Sequence, residues 1–383
     1  MASIPLTLAD VAYDIQINQL PNWIRAVEDM TMRTGFLYPR LSQQGGILRE
    51  PGAYEDIWKL KVRLPEVRPM SNHQGLSFQP TQTEIQMRTQ LRAMETTEAM
   101  SLMDQWINSG PNALRKMVND KATDLRKAMM KAFMGDVWLS GSSTGRTNRY
   151  EGIETGLGAG TVVVADKIAM PDGSYANQAT DLATNGGYWS ADLGTPNNAA
   201  LANDWPDGSG DDSYDCTSPL LVNTGSTSWG TGSNSHKVNL FRAISQAQVW
   251  LTQLRGGDGA PDLCACDSWS FQGLRESQEA KTRLVQETPS TIDIGLPGYR
   301  GAVNLDGLTI YPDFYCPVST CYMMSTSKIG VKTALPDGQL FASRGPIEIP
   351  QLAFSSVWAL FTYGNFRFKS FANVAKLYPY ATA

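Results

Sequence analysis

The residues through which this chain would do chemistry are two histidines, five cysteines and an Asp-rich run. A histidine base needs a nucleophile within hydrogen-bond reach. Neither His73 nor His236 lies in a recognised triad motif, so both read as surface or loop residues. Cys264 and Cys266 are separated by a single residue, not by the two of a structural zinc pair. On a strand this spacing puts both thiols on one face. That favours a buried reduced pair, which Cys316 and Cys321 can join in space. With Cys216 the cysteine count is odd, and it reads as reduced thiols made in a cytosol. Asp207, Ser209, Asp211, Asp212 and Asp215 have the oxygen spacing of a calcium loop. They lack its central Gly and terminal Glu, so a solvated acidic loop is the better reading. Gly156, Gly158 and Gly160 do not make a dinucleotide fingerprint, and there is no phosphate loop. The expectation is therefore no catalytic residue, no cofactor and no metal: not an enzyme.

The elements that would position such residues are more telling. Trp58, Leu60, Val62 and Leu64 alternate with Lys59, Lys61 and Arg63. After a bend over 65–80, Ile85, Met87, Leu91 and Ala93 alternate with Glu84, Gln86, Arg88, Gln90 and Arg92. Period-two alternation gives each strand one apolar and one wet face. An isolated hairpin is marginal in water, so something must cover the apolar face. The sequence offers no second sheet nearby, which makes a neighbouring copy the natural cover. Ser109-Gly110-Pro111 then starts a helix. Leu114, Val118, Leu125, Met129 and Phe133 fall at helical spacing along it. Its polar face carries Arg115, Lys116, Lys121, Arg126, Lys127 and Lys131 against Asp120 and Asp124. A solvated face is the ordinary reading; an inner surface near nucleic acid is the functional one, sequence-independent and salt-sensitive.

A further short helix is expected over 97–108 and a strand over 161–165. Helices are expected from Asn239 to Leu254 and from Ser268 to about Glu287, with strands at 261–266, 308–311 and 320–324. Gly364-Asn365 between two apolar runs signals a two-residue hairpin turn. This order describes an α+β chain. Hydrophobic residues make up 42% of its 383 residues and charged ones 18%, enough for a real core. No window is long and apolar enough to span a bilayer, and the first ten residues carry no basic or apolar signal region. From Asp166 to His236 there are nine Asp, one Lys and no Glu or Arg, a net −8. The whole chain carries −5, so the remainder carries +3. An acidic insertion sits on a mildly basic body.

Several stretches, in order, resemble the major capsid proteins of tailed bacteriophages, the Hong Kong phage-type fold. They are Leu64 to Val67 with Asn72 and Gly75; Glu151 to Leu157; Ala260 to Asp267; Asp313 through Pro317 to Met324; and Ala375 to Tyr378. The resemblance covers most of the chain outside 166–236. It implies an N-terminal arm over 1–45 and an extended β-hairpin loop over 46–95. A spine helix and first part of a peripheral domain would occupy 96–160. An axial α/β domain would span 161–342 with its acidic insertion, and the peripheral return 343–383. It further implies hexamers and pentamers of an icosahedral shell around double-stranded DNA, with no membrane. The shell would be assembled in a bacterial host cytoplasm and would end in the virion capsid. Portal, scaffolding and decoration proteins are the implied further partners. In this reading Trp58, Leu60, Val62, Ile85 and Met87 contact the adjacent subunit. The alternatives are an encapsulin-like compartment shell, and a carbohydrate-binding or enzymatic module suggested by Trp189, Trp205 and Trp229 among acids.

Overall fold

The structure is a computed structural model. It describes residues 37, 41, 46–49, 54–61, 65, 67, 69–70, 83–101, 111–141, 145–146, 148–158, 160, 167–169, 171–180, 218–255, 260–279, 303–305, 307–335, 340–349 and 355–380. The chain begins with β1 (Ile47–Arg49), β2 (Glu55–Lys61), β3 (Glu84–Gln90) and β4 (Arg92–Ser101). Helix α1 (Pro111–Asp136) and the one-turn α2 (Glu154–Leu157) follow. Short strands β5 (Ile168–Ala169), β6 (Ser174–Tyr175) and β7 (Gln178–Ala179) precede β8 (Leu220–Asn223), α3 (His236–Arg255), β9 (Leu263–Cys266) and α4 (Ser268–Glu279). The remainder is strand: β10 (Val303–Leu305), β11 (Leu308–Pro312), β12 (Cys321–Met324), β13 (Ile329–Thr333), β14 (Ala342–Ile349), β15 (Ser355–Phe368) and β16 (Val374–Tyr378).

Contacts divide the chain into two units. The larger holds Thr34–Met94, Ala132–Phe341 and Thr362–Ala383. At its centre is a seven-stranded sheet in the order β10-β11-β9-β12-β16-β8-β5. Strand β9 lies parallel to β11 and antiparallel to β12. Its four residues, Leu263 to Cys266, are all fully buried, because both faces of the sheet are covered. On one face Leu240, Ile244, Trp250 and Leu251 of α3 and Leu274 of α4 pack with Cys264, Cys266 and Cys321. On the other, Leu263, Ala265 and Tyr322 pack with Trp138, Ile153, Leu157 and Phe371. Asp267 caps α4 as its sequence position suggests, accepting from the backbone N–H of Trp269 and Ser270 at 3.2 and 3.3 Å.

The turn after α1 is built on close approach. A Cβ at Gly152 would lie 2.1 Å from the Asp136 carbonyl oxygen, and one at Gly156 would lie 2.5 Å from the Phe371 ring. Gly152 N–H donates to the Leu139 carbonyl and Ile153 N–H to that of Val137. This is why Glu151 to Leu157 needs its glycines there. Gly152 and Gly156 are there for close packing.

The smaller unit holds Met1–Arg33, Glu95–Lys131 and Ala342–Phe361. Its described part pairs β14 with the first half of β15, with a register shift between Arg344 and Ile347. Gly345 and Pro346 lie at that irregularity, as expected where a ladder donor is missing. Leu125 and Met129 of α1 are buried at 7% and 3% exposure, one helical turn apart as their spacing required.

Two expectations fail here. Residues 97–101 are strand, not helix: burial alternates along β4 with the period of two that a strand requires. Residues 102–108, like the strand expected over 161–165 and the extension of α4 beyond 279, lie outside the described residues. The second correction is Gly364-Asn365, which is no turn. It sits inside the 14-residue strand β15. A Cβ at Gly364 would lie 2.2 Å from the Lys332 carbonyl oxygen of β13. The Asn365 amide accepts from Glu151 N–H at 2.8 Å and donates to the Gln90 carbonyl at 2.9 Å. Glycine gives the close approach and asparagine bridges two other segments. Gly364→Ala is accordingly expected to destabilise the fold by about 1–3 kcal/mol in urea unfolding; a neutral result would return this dipeptide to the surface.

Candidate assembly hairpin and its buried anchor

Strands β2 and β3 form the antiparallel hairpin that the alternation demanded, with Trp58 opposite Met87 and Leu60 opposite Ile85. Cross-strand apolar pairs of this kind are the unit of sheet stabilisation. The wet face carries Lys59–Glu84 at 3.2 Å and Arg88–Glu55 at 2.5 Å. Exposed pairs of this sort are screened by solvent and add little to stability.

What covers the apolar face corrects the sequence reading. Trp58 and Met87 are 8% and 3% exposed and belong to the chain's own core, with Leu60 and Ile85 packed half-buried against it. Trp58 Nε1 donates to the Lys369 carbonyl at 3.2 Å, and its ring lies 6.2 Å from that of Tyr175. The cover comes from β15 and from the turn between β6 and β7, far away in sequence. Over this stretch no neighbouring copy is needed. Val62 lies outside the described residues. Ile57, on the opposite face, is 51% exposed, and near the bend Val67 and Met70 are 93% and 61% exposed.

The anchor is ionic. Asp56 shares the inward parity of Trp58 and Leu60 and is 1% exposed. Its carboxylate lies 3.3 Å from Lys332 Nζ, itself 1% exposed, and 3.5 Å from Arg367 Nε. Neither carboxylate oxygen accepts a well-aligned hydrogen bond, so these are ion pairs at contact distance. The Arg367 guanidinium also stacks over the Trp58 ring at 4.9 Å. A second polar layer lies beside the first. Thr89 and Arg92 both donate to Glu151, at 2.9 and 2.6 Å. Tyr175 closes the assembly from the β6–β7 turn: its hydroxyl donates to the Phe366 carbonyl and accepts from Phe368 N–H. Burial pushes this phenol far above its ordinary pKa, so it stays a neutral donor. The turn also clips β3, through Arg88 N–H to the Ala176 carbonyl and Gln178 Nε2 to the Gln86 carbonyl, both at 3.1 Å. A polar cavity of about 500 Å³ remains there, lined by Glu55, Arg88, Glu151, Thr155, Ser174 and Asn177 among others.

Of the basic helix face, Arg126 and Lys131 are exposed, and Lys127 is half-buried. Lys121 pairs with Glu98 at 2.6 Å. The Arg115 and Lys116 side chains lie outside the described residues. No helix among the described residues is long and apolar enough to cross a membrane.

The residues with chemical potential are mostly core. His236 is not a surface residue: it is 4% exposed. Its Nδ1 meets the Thr224 hydroxyl at 2.6 Å and its Nε2 the Ser270 hydroxyl at 2.8 Å. The Ser270–His236 contact has the form of a nucleophile and its base, but Ser270 is fully buried, where no substrate reaches it. Burial lowers the imidazole pKa to about 4, with Asp267 acting weakly the other way. The four described cysteines are free and buried. No group of three or more His, Cys, Asp or Glu among the described residues is placed to hold a metal ion. Trp229 is 5% exposed and donates to the Asn223 carbonyl, so it lines no sugar site. His73, Cys216, Trp189, Trp205 and the Asp207–Asp215 run lie outside the described residues.

No family model matches the chain, and no curated protein does. Solved structures do. The capsid asymmetric unit of Cyanophage A-1(L) aligns over 93% of this chain and 96% of its own, at 11% identity and TM-score 0.53. The capsid of a native GTA particle aligns over 94% and 97%, at 13% identity and TM-score 0.52. The capsid of Myoviridae phage XM1 aligns over 92% and 96%, at 11% identity and TM-score 0.51. The chain has the phage capsid fold. The α+β Hong Kong phage-type fold that the ordered stretches implied is the one observed. At such identity the likeness lies in the backbone arrangement and not in shared side chains.

Two outcomes follow from this geometry. Asp56→Ala removes the carboxylate beside the buried Lys332 and is expected to destabilise the chain by about 3–5 kcal/mol, with Asp56→Ala/Lys332→Met recovering most of the loss. Both are read by denaturant unfolding. For His236 the folded pKa lies below the ordinary 6.5. Its neutral form therefore contributes stability that is fully present above about pH 6.5 and is lost as pH falls through about 4. The contribution is on the order of 3 kcal/mol. His236→Gln should flatten the melting temperature between those pH values, and an unchanged pH profile would contradict the assignment.

Proposed function

We propose that this chain is the major capsid protein of a tailed phage, and that copies of it assemble into an icosahedral shell around double-stranded DNA. The observation that carries this is the end-to-end match of its fold to phage and GTA-particle capsids. Its role is structural rather than enzymatic, and it acts by geometry. Closed shells repeat the same interfaces by symmetry, so modest contacts give large total stability. The hairpin is rooted in its own subunit by Asp56, Trp58 and Met87 and reaches a neighbouring copy with its distal part. Val62, the exposed Val67 and Met70, and the half-buried edges of Leu60 and Ile85 make that contact. The exposed cations Arg126 and Lys131, with Arg115, Lys116 and Lys127, face the packaged DNA through nonspecific contacts. Portal, scaffolding and decoration proteins complete the particle.

Val67→Asp/Met70→Asp tests the reading. Both side chains are exposed, so the unfolding free energy should stay within about 0.5 kcal/mol of that of the parent chain. Sedimentation velocity and negative-stain microscopy should show that shells are lost. Normal shells from this variant would overturn the role of the hairpin. Shells of the parent chain that enclose one defined protein cargo and no DNA would replace the phage reading with the compartment alternative.

A further inference from the structure

We infer that Cys266 and Cys321 are a disulfide-forming pair, a covalent site that an oxidant closes across the central sheet. They are direct partners on the antiparallel strands β9 and β12. The ladder bond runs one residue beyond them, from Asp267 N–H to the Thr320 carbonyl at 3.3 Å. That makes 266/321 a non-hydrogen-bonded pair, where facing Cα atoms approach to about 4.5 Å. A disulfide accepts Cα separations from about 4.4 Å, so the bond forms without moving the strands apart. Both side chains lie on the face packed by α3 and α4. Both are fully buried and reduced.

Cys264 is the rival. Its sulfur lies 3.7 Å from that of Cys266. Two same-face residues of one strand, however, are two rises apart, about 6.6–6.8 Å. That is the outer limit for a disulfide, with parallel Cβ directions rather than facing ones. The cross-strand pair therefore wins the bond, and Cys264 stands beside it as a neighbouring thiol. Cys316 is engaged elsewhere, donating to the Thr320 carbonyl at 3.4 Å.

With hydrogen peroxide as oxidant the step balances. The Cys321 thiolate attacks one peroxide oxygen, cleaving the O–O bond to give a sulfenic acid and one water. Cys266 then attacks that sulfur and displaces the hydroxyl as a second water. Two thiols are oxidised and one peroxide is reduced. Burial holds both thiols above their ordinary pKa, so thiolate is scarce and the reaction waits on local opening of the sheet. Once closed, the bond joins two strands that 54 intervening residues separate in sequence.

The experiment uses the full-length chain in a Cys216→Ser background, treated with hydrogen peroxide, quenched, denatured and alkylated. Before alkylation the expected chain is lighter by about 2 Da, the two thiol hydrogens. It should show two alkylated thiols instead of four, with one linked peptide pair containing Cys266 and Cys321. Cys264→Ser should keep that link, and Cys321→Ser should abolish it. Peptide mapping of the oxidised chain with its four core cysteines intact gives the same answer if either variant fails to fold. A link that maps to Cys264 and Cys266, four thiols that all remain alkylatable, or oxidation to sulfinic acid without a link would each overturn the assignment.

Discussion

A carboxylate in an aromatic core must keep a cation beside it, and the fold is arranged so that Asp56 does. Breaking a buried ion pair by removing its charge partner is among the largest penalties a single side chain can impose. Asp56 therefore ties three distant segments to one point. Lys332 comes from β13 and Arg367 from β15, while Trp58, two residues along β2, lies under the Arg367 guanidinium. The hairpin cannot leave this place without separating charges in a medium that solvates them poorly. Glu151, Thr89, Arg92 and Asn365 surround the same point with hydrogen bonds, and Tyr175 closes it from the β6–β7 turn.

This constraint divides the hairpin into two functional parts. The base is core: its tryptophan and methionine are 8% and 3% exposed. Towards the bend, the described Val67 and Met70 lie open to solvent. A rigid root with an apolar reach fits the proposed role, in which the chain folds alone and then joins copies of itself. In that scheme the root sets the direction of the arm, and partner contact need not supply the energy to fold it.

How much could be read in advance depends on the range of the interaction. Period-two alternation revealed β2 and β3, helical spacing revealed α1, and helices were expected to begin close to where α3 and α4 do. All are local signals. The cover of the hairpin was missed because Trp58 meets Lys369 across 311 positions, and no local pattern encodes that distance. One signal was present: Asp56 lies on the same strand face as Trp58 and Leu60, and a charge within an apolar stripe implies a buried partner. Gly364-Asn365 misled because a turn signal and a close-packing signal use the same two residue types. His236 misled because its two hydroxyl partners, Thr224 and Ser270, come from separate loops and helices. The fold as a whole was legible from the order of its stretches even where single residues were not.

The most direct test of the central claim is hydrogen exchange on the unassembled chain and on assembled particles, compared segment by segment. The account predicts that amides of β2 and β3 around Trp58 and Met87 are already protected in the unassembled chain, while those near Val67 and Met70 gain protection only in particles. If the amides around Trp58 and Met87 exchange freely until assembly, the neighbouring copy holds the hairpin, and the Asp56 anchor is not what roots it.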